Sequence, residues 1–332
     1  MWGGNGTDAH CLVGVTLDRM TARRPFRFSV QEHQAHSASQ WRERARAIEA
    51  MGYSTLYLPD HLGNQVSPIA GLMAAADATT TLRVGSLVFD NDYRHPVVLA
   101  KEAASLDLLS DGRFDFGIGA GWMASDYEKS GISYDSPGTR IDRLAEALTI
   151  FKRFFAGGEF SFEGKHYTIK GLEGAPMPAQ KPHPPIVIGG GGRKMLALAA
   201  READTINVNF DLREGRTSRR TAQSGRAELT DEKIRWVQEA AGGRFDEIEL
   251  GVWTFMANVT DDRESTAAML APAMGLDPDE VLQVPHFMLG NLEQIAEDLL
   301  ARRQRYGISH VVVPGDAADA LAPVVERLAG SH

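Results

Sequence analysis

Four short segments carry residues whose types and spacing suit chemistry. The run Gly189-Gly190-Gly191-Gly192-Arg193-Lys194 sets four glycines before two cations and a helical stretch. Glycines let backbone amides converge on an anion, and a helix N-terminus adds partial positive charge. The order strand, glycine run, basic pair, helix points to a phosphate cradle built from Gly189, Gly190, Gly191, Gly192 and Arg193. A flexible turn is the competing reading. Pro59-Asp60-His61 follows a strand-like run. A histidine there can bond a ligand carbonyl or move a proton near neutral pH; its other role would be to cap the next helix. Asp126 is a further candidate proton carrier and equally suits tying down a loop.

Gly117-Ile118-Gly119-Ala120-Gly121-Trp122 alternates glycines before an indole. Gly119 and Gly121 would let the backbone approach a ligand closely, and Trp122 could stack on a flat ring. The run lacks the first strand-helix context of a dinucleotide fingerprint. Gly85-Ser86-Leu87-Val88 holds no titratable group. It suits an apolar wall against a ring, or a plain core strand. His33 and His36 lack an acidic or cysteine partner at ligand spacing, so no metal site is expected. A Gly-x-Ser-x-Gly nucleophile elbow does not occur.

The elements that must position these groups alternate along the chain. Strand-like runs occur at 26–31, 55–59, 82–89, 114–118, 185–188, 205–208, 250–257 and 310–313. Helical periodicity covers 40–51, 68–79, 96–109, 140–155, 194–202, 231–241, 292–306 and 318–328. The first strands recur at roughly thirty-residue intervals, the length of a strand-helix-strand unit, which implies a parallel sheet. The stretch 160–169 reads as a hairpin turning at Glu163-Gly164. Eight strands with no break in composition favour an α/β fold of the (β/α)8 TIM barrel type over an open sheet. The expected organisation is one barrel domain over 26–332. Residues 1–25 would be an extension or extra strand, and 209–247 an insertion or lid. In a barrel the reactive groups lie at the C-terminal ends of strands, which would gather all four segments on one rim.

Bulk properties narrow the partners. A chain of 332 residues, 43% hydrophobic, can bury a large core without disulfides. Its single cysteine, Cys11, cannot form an intrachain bridge, which suits a reducing, cytoplasmic setting. The net charge of −9 is spread along the chain and argues against nucleic acid as the main partner. Apolar runs are strand-sized, and the apolar stretch after Cys11 meets Asp18-Arg19 at once, so neither a membrane span nor a leader is expected.

Several pieces occur together in order: GYSTLYLPDH from Gly52 to His61, Arg94-His95-Pro96 before an Ala/Leu helix, and LSDGRFDFGIGAGW from Leu109 to Trp122. Asp126-Tyr127, Arg140 with Glu146, Phe162 to Tyr167, the glycine run, Gly307 to Pro314 and Ala322-Pro323 follow. With this ordered set the chain resembles the bacterial luciferase-like monooxygenase superfamily of flavin- or deazaflavin (F420)-dependent barrels, in its probable F420-dependent oxidoreductase branch. The resemblance implies that His61 lies near the reactive ring. It implies that Leu87-Val88 carry a bulge, often with a cis non-proline peptide, behind the ring, and Ser86 beside them is a further candidate to touch the cofactor. Gly119 to Trp122 would pass close to the cofactor, and Gly189 to Arg193 would hold its phosphate.

It further implies coenzyme F420, with FMN as the alternative, and hydride transfer to or from a small organic substrate. An FMN-dependent monooxygenase fed by a partner reductase is the second reading, and a non-catalytic flavin carrier the third. Relatives commonly form homodimers. One departure matters. The sugar-phosphate and alcohol dehydrogenase branch carries a glutamate proton donor where this chain has Trp122, and a tryptophan where it has Gln65. Oxidation of glucose 6-phosphate by that pair is therefore not expected. His61, Asp60 and Asp126 remain as proton carriers.

Overall fold

The computed structural model describes residues 24–331. The expected extension over 1–25, with Cys11, lies outside them save for its last two residues. From the N-terminal side come β1 (Arg27–Gln31), α1 (Ala38–Ala50), β2 (Thr55–Leu58), α2 (Pro68–Ala78), β3 (Arg83–Ser86), β4 (Phe89–Asp90), α3 (Pro96–Leu109) and β5 (Phe114–Gly119). Helices α4 (Ala124–Ser130) and α5 (Pro137–Ala156) lead to a hairpin of β6 (Glu159–Glu163) and β7 (Thr168–Glu173), as its turn residues predict. Then follow β8 (Ile186–Gly190), α6 (Arg193–Glu202), β9 (Thr205–Val208), α7 (Arg219–Gln223), α8 (Ala227–Ala241), β10 (Glu249–Trp253) and β11 (Met256–Val259). The chain closes with α9 (Arg263–Met274), α10 (Pro278–Gln283), β12 (Phe287–Gly290), α11 (Leu292–Tyr306), β13 (Ile308–Pro314) and α12 (Ala318–Leu328).

Parallel pairing runs β1-β2-β3-β5-β8-β9-β10-β13 and returns to β1, so the sheet closes as a (β/α)8 barrel. Period-four apolar faces seat the helices on it. In α1, Trp41, Ala45 and Ile48 are buried; in α5, Leu144, Leu148, Phe151 and Phe155 are.

The structure corrects three boundaries. The run 82–89 is not one strand. It leaves the sheet at Leu87-Val88, a cis non-proline peptide, and resumes as β4 beside the upper end of β5. Across the sheet the backbones approach closely there: a Cβ on Gly117 would fall 1.7 Å from the Ser86 carbonyl oxygen, so that position requires glycine. The run 250–257 also splits. β10 ends at Trp253, and β11 pairs with β12 in a separate small sheet. Within 209–247 two parts differ: a loop with α7, and α8, which begins four residues earlier than expected and packs against α6.

The interior at the N-terminal ends of the strands is polar. Arg27 bridges Asp115 (3.2 Å) and Glu249 (2.5 Å), and Arg83 reaches Asp115 at 2.6 Å. Burial alone would raise the Asp115 carboxyl, but Arg83 and Arg27 outweigh it and hold the group below the usual carboxylate range. Burial, reinforced by Arg27, pushes His310 down to about 3. Its neutral ring meets Ser29 Oγ at 2.8 Å. Two cations thus face two carboxylates around an uncharged imidazole, and this part of the interior is balanced.

Candidate active site

At the opposite end of the barrel a cavity of about 810 Å³ opens among the strand C-termini. His61 enters it from the loop after β2. Its Nδ1 lies 2.8 Å from Asp126 Oδ2 on α4, and Tyr93 Oη donates to the same oxygen at 3.3 Å. A carboxylate on Nδ1 fixes the tautomer and leaves Nε2 as the ring's other polar atom. The Trp122 ring meets the imidazole edge-on, 5.9 Å away. His33 lies nearby on the same wall. Burial holds it below the ordinary imidazole range against the pull of Glu32, and His61 adds to the lowering.

One wall is apolar. Leu87 and Val88 face the cavity, and Gln31 Nε2 donates to the Leu87 carbonyl at 2.7 Å, fixing that loop from β1. Gly119 packs on the Val88 side chain, where a Cβ would fall 2.6 Å away. Gly121 has φ +70°, and a Cβ there would meet Tyr127 Oη and Asp90. Ser86 does not reach the cavity. It is buried, and its hydroxyl donates to the Leu58 carbonyl at 2.9 Å.

The glycine run forms the far side of the same cavity. Its members serve different ends. Gly191 is demanded by the fold, because a Cβ would sit 2.0 Å from the Phe210 carbonyl oxygen. Gly190 is crowded by Met195 at 2.6 Å. Gly189 and Gly192 face open space: the nearest atom to a Cβ on Gly189 is 4.0 Å off, and none lies within 4 Å of one on Gly192. Gly192 begins α6 without a side-chain cap, and the first helical bond runs from Leu196 N–H to Gly192 C=O. The amides of Arg193, Lys194 and Met195 precede that bond, at the positive end of the helix. Both cations are engaged. Arg193 pairs with Glu239 at 3.4 Å, and Lys194 with Asp142 at 2.6 Å.

Between these walls lies an acidic group. Asp60 is gripped by Arg94 at 2.5 and 3.1 Å and accepts the Asp90 N–H at 3.0 Å. Asp92 pairs with Arg143 at 2.9 Å. Asp90 lines the cavity and is buried; burial pushes its carboxyl up to about 7, with the charges of Asp92 and Asp60 adding. Arg140, only 2% exposed, donates to the carbonyls of Ala120 and Gly121 and stacks on Tyr134 at 4.1 Å. It props up the end of β5.

His61, Asp126, Trp122, Val88 and the glycine run were legible as local patterns. Arg140 was singled out only as a piece of the family resemblance, without a role. Asp90, Asn207, Phe210 and Trp253 were not singled out at all. Asn207, next to last in β9, is in register with Gly189 and Gly251. Its buried amide nitrogen has no protein partner among the described residues. An asparagine near a strand end was the available signal. Among the described residues, no group of three His, Cys, Asp or Glu could hold a metal, and no helix is long and apolar enough to cross a membrane.

Comparison with known proteins bears on these features. Residues 23–311 match the family model described as luciferase-like monooxygenase. An F420-dependent glucose-6-phosphate dehydrogenase of Microbacterium testaceum is 31% identical over 164 residues, 47% of this chain and 48% of that protein. A 4-hydroxyprotoasukamycin monooxygenase of Streptomyces nodosus subsp. asukaensis is 37% identical over 127 residues, 36% of this chain and 33% of that one. The chain thus spans about half or less of the length of these relatives. The F420-dependent tetrahydromethanopterin reductase from Methanopyrus kandleri superposes with a TM-score of 0.73 at 17% identity, over 92% of this chain and 98% of that one. The long-chain alkane monooxygenase LadA gives 0.71 at 15%, over 92% of both chains. At such identities the likeness to the solved structures is one of fold.

Proposed function

The chain belongs to the luciferase-like monooxygenase family, a family of oxidoreductases and monooxygenases, and on that footing we propose that it is an F420-dependent oxidoreductase. It would pass a hydride between the deazaflavin and a small organic substrate. The observation that carries this reading is the arrangement of one cavity: an apolar wall at Leu87-Val88, a glycine turn at an uncapped helix start, and His61 with Asp126 between them. Gly189 and Gly192 leave the space that side chains would fill, so the residues present fit a phosphate-bearing flat cofactor.

The cofactor, once bound, supplies the hydride chemistry. Leu87 and Val88 would back its ring and keep water from that face. The amides of Arg193 to Met195 would take its phosphate. His61 would hold or move a proton at Nε2, its orientation fixed by Asp126 at Nδ1. Association into a homodimer is part of the same proposal, on the habit of relatives.

A second reading is an FMN-dependent monooxygenase, supplied with reduced flavin by a partner. One observation favours it. F420 carries a polyanionic tail that cations would draw, but Arg193 and Lys194 are already paired, with Glu239 and Asp142, and the single phosphate of FMN needs only the glycine turn. Titrating the protein with F420 and with FMN, followed by fluorescence, tests the choice. Tighter binding of F420, with its reduction or oxidation by members of an alcohol and carbonyl panel, is expected. Tight FMN with no affinity for F420 would overturn it. Binding with no turnover on any substrate would favour a carrier.

A further inference from the structure

Tyr127 Oη lies 2.9 Å from Asp90 Oδ2, 3.1 Å from Asp90 Oδ1 and 3.1 Å from Asp92 Oδ2. A phenol has one hydrogen to donate, and an ionised carboxylate has none. With both acids ionised, one of them would face the phenol oxygen lone pair to lone pair in a buried place, which is costly. An extra proton on one acid removes the conflict. That acid donates to Oη, and the phenol donates to the other.

The surroundings decide which acid holds the proton. Burial pushes Asp92 upward too, but its ion pair with Arg143 opposes that and favours the charged form. The cation next to Asp90 in the chain, Arg94, is engaged by Asp60 with two hydrogen bonds and by Glu102 at 3.6 Å. Arg140, packed against Tyr127, gives its hydrogens to the carbonyls of Ala120, Gly121 and Asp135 and to Tyr134 Oη. The remaining groups that bear on Asp90 are Asp60 after β2, Asp92 and Tyr93 after β4, and Tyr127 on α4. None brings an unpaired positive charge. Asp90 also accepts the Asp92 N–H at 2.9 Å, and its carboxyl lies against Gly121, where a Cβ would fall 2.4 Å from Oδ2. It therefore sits one residue from Trp122, in the cavity wall.

We propose that Asp90 keeps its carboxylic proton well above the usual carboxylate range, sharing hydrogen bonds through Tyr127 with ionised Asp92, and that it supplies the proton for reduction of a carbonyl substrate in this cavity. The donor role rests on the proposed function, with reduced deazaflavin as the reductant. As the carbonyl carbon takes up the hydride, the C=O π bond opens toward oxygen. The O–H of Asp90 turns from Tyr127 Oη to the substrate oxygen and breaks; its proton forms the O–H bond of the alcohol, and the electron pair stays on Asp90 as carboxylate. Tyr127 then gives its hydrogen bond to Asp90, and a proton from water restores the acid. The elevated titration of Asp90 agrees with the count of hydrogens but is not needed for it.

Isotope-edited infrared spectroscopy of the whole protein labelled at aspartate reads the proton directly. In mildly acid buffer the wild type should show the band of a protonated carboxylic acid that titrates near neutrality and is absent from Asp90→Asn. The asparagine is isosteric and can still donate to Tyr127, so the fold should survive. Asp92→Asn should move the titration to lower pH, because the neighbouring charge is gone and the phenol is free for Asp90. No such band in the wild type, its persistence in Asp90→Asn, or a titration unmoved in Asp92→Asn overturns the shared proton. With reduced F420 and cyclohexanone as probe, Asp90→Asn should lose about 100-fold or more in kcat at unchanged F420 affinity. A wild-type rate in that variant overturns the donor role. A wild type that reduces no carbonyl overturns the proposed function and the donor role together, while the infrared titration still decides whether Asp90 holds the proton.

Discussion

His61 and Asp126, 65 residues apart, meet through Nδ1 and Oδ2 at 2.8 Å. The contact gives the imidazole one defined orientation and one free nitrogen. His61→Ala should therefore lower kcat by about 10²- to 10⁴-fold, the usual worth of a positioned acid or base. Asp126→Asn acts only through the ring and should cost less. Circular dichroism should show an intact barrel in both. A wild-type rate in His61→Ala would remove the histidine from the mechanism.

The glycines of the turn should separate by function. Gly189→Val places its side chain where the nearest atom to a Cβ is 4.0 Å away, so the fold should hold while the cofactor dissociation constant rises at least tenfold. Gly191→Ala drives a methyl into the Phe210 carbonyl and should destabilise the protein by about 1–3 kcal/mol or more. Unfolding midpoints and cofactor titrations on the two variants check this. Equal affinity in Gly189→Val would count against the cradle.

Acid should weaken the protein partly through His310. Its folded-state value, about 3, lies below the 6.5 of an unperturbed imidazole. As pH falls through that upper value, the unfolded chain takes up a proton that the folded chain refuses. Stability is therefore full above it and is lost progressively down to the folded value, with a slope of at most about 1.4 kcal/mol per pH unit. His310→Asn should flatten this limb in urea unfolding measured from neutral to mildly acid pH. An unchanged slope would mean that His310 is already charged in the fold.

Lys233 ties the loop beyond β9 in place by donating to the carbonyls of Asn209 (2.8 Å) and Ser224 (2.7 Å), and burial pushes it down to about 8. Lys233→Met keeps the bulk and removes both bonds. Amide exchange should quicken over 209–226 and stay unchanged in the barrel strands. Unchanged exchange over 209–226 would show that other contacts hold the loop.

The alternation of strands and helices was legible because each buried face repeats within a few residues. The glycine turn before α6 and the Asp60-His61 corner were legible for the same reason, since their residues are neighbours in the chain. The break at Leu87-Val88 was not legible from the strand pattern of 82–89, which reads as one run; only the family resemblance pointed to a bulge with a cis peptide there. The Asp90–Tyr127 contact spans 37 residues, and no local pattern reports it. Helix α9 was missed because Pro272 stands inside it and its apolar residues do not form a clear stripe. Trp253 ends β10 because the next residues turn to β11, which answers to β12 rather than to the barrel.

The charged network of Arg27, Arg83, Asp115 and Glu249 ties strands together across the foot of the barrel. With salt-bridged side chains crossing below the site, its approach is from the rim. On the proposed function, a cofactor and a substrate would share that one entrance, and the guest seated deeper would have to arrive first and depart last.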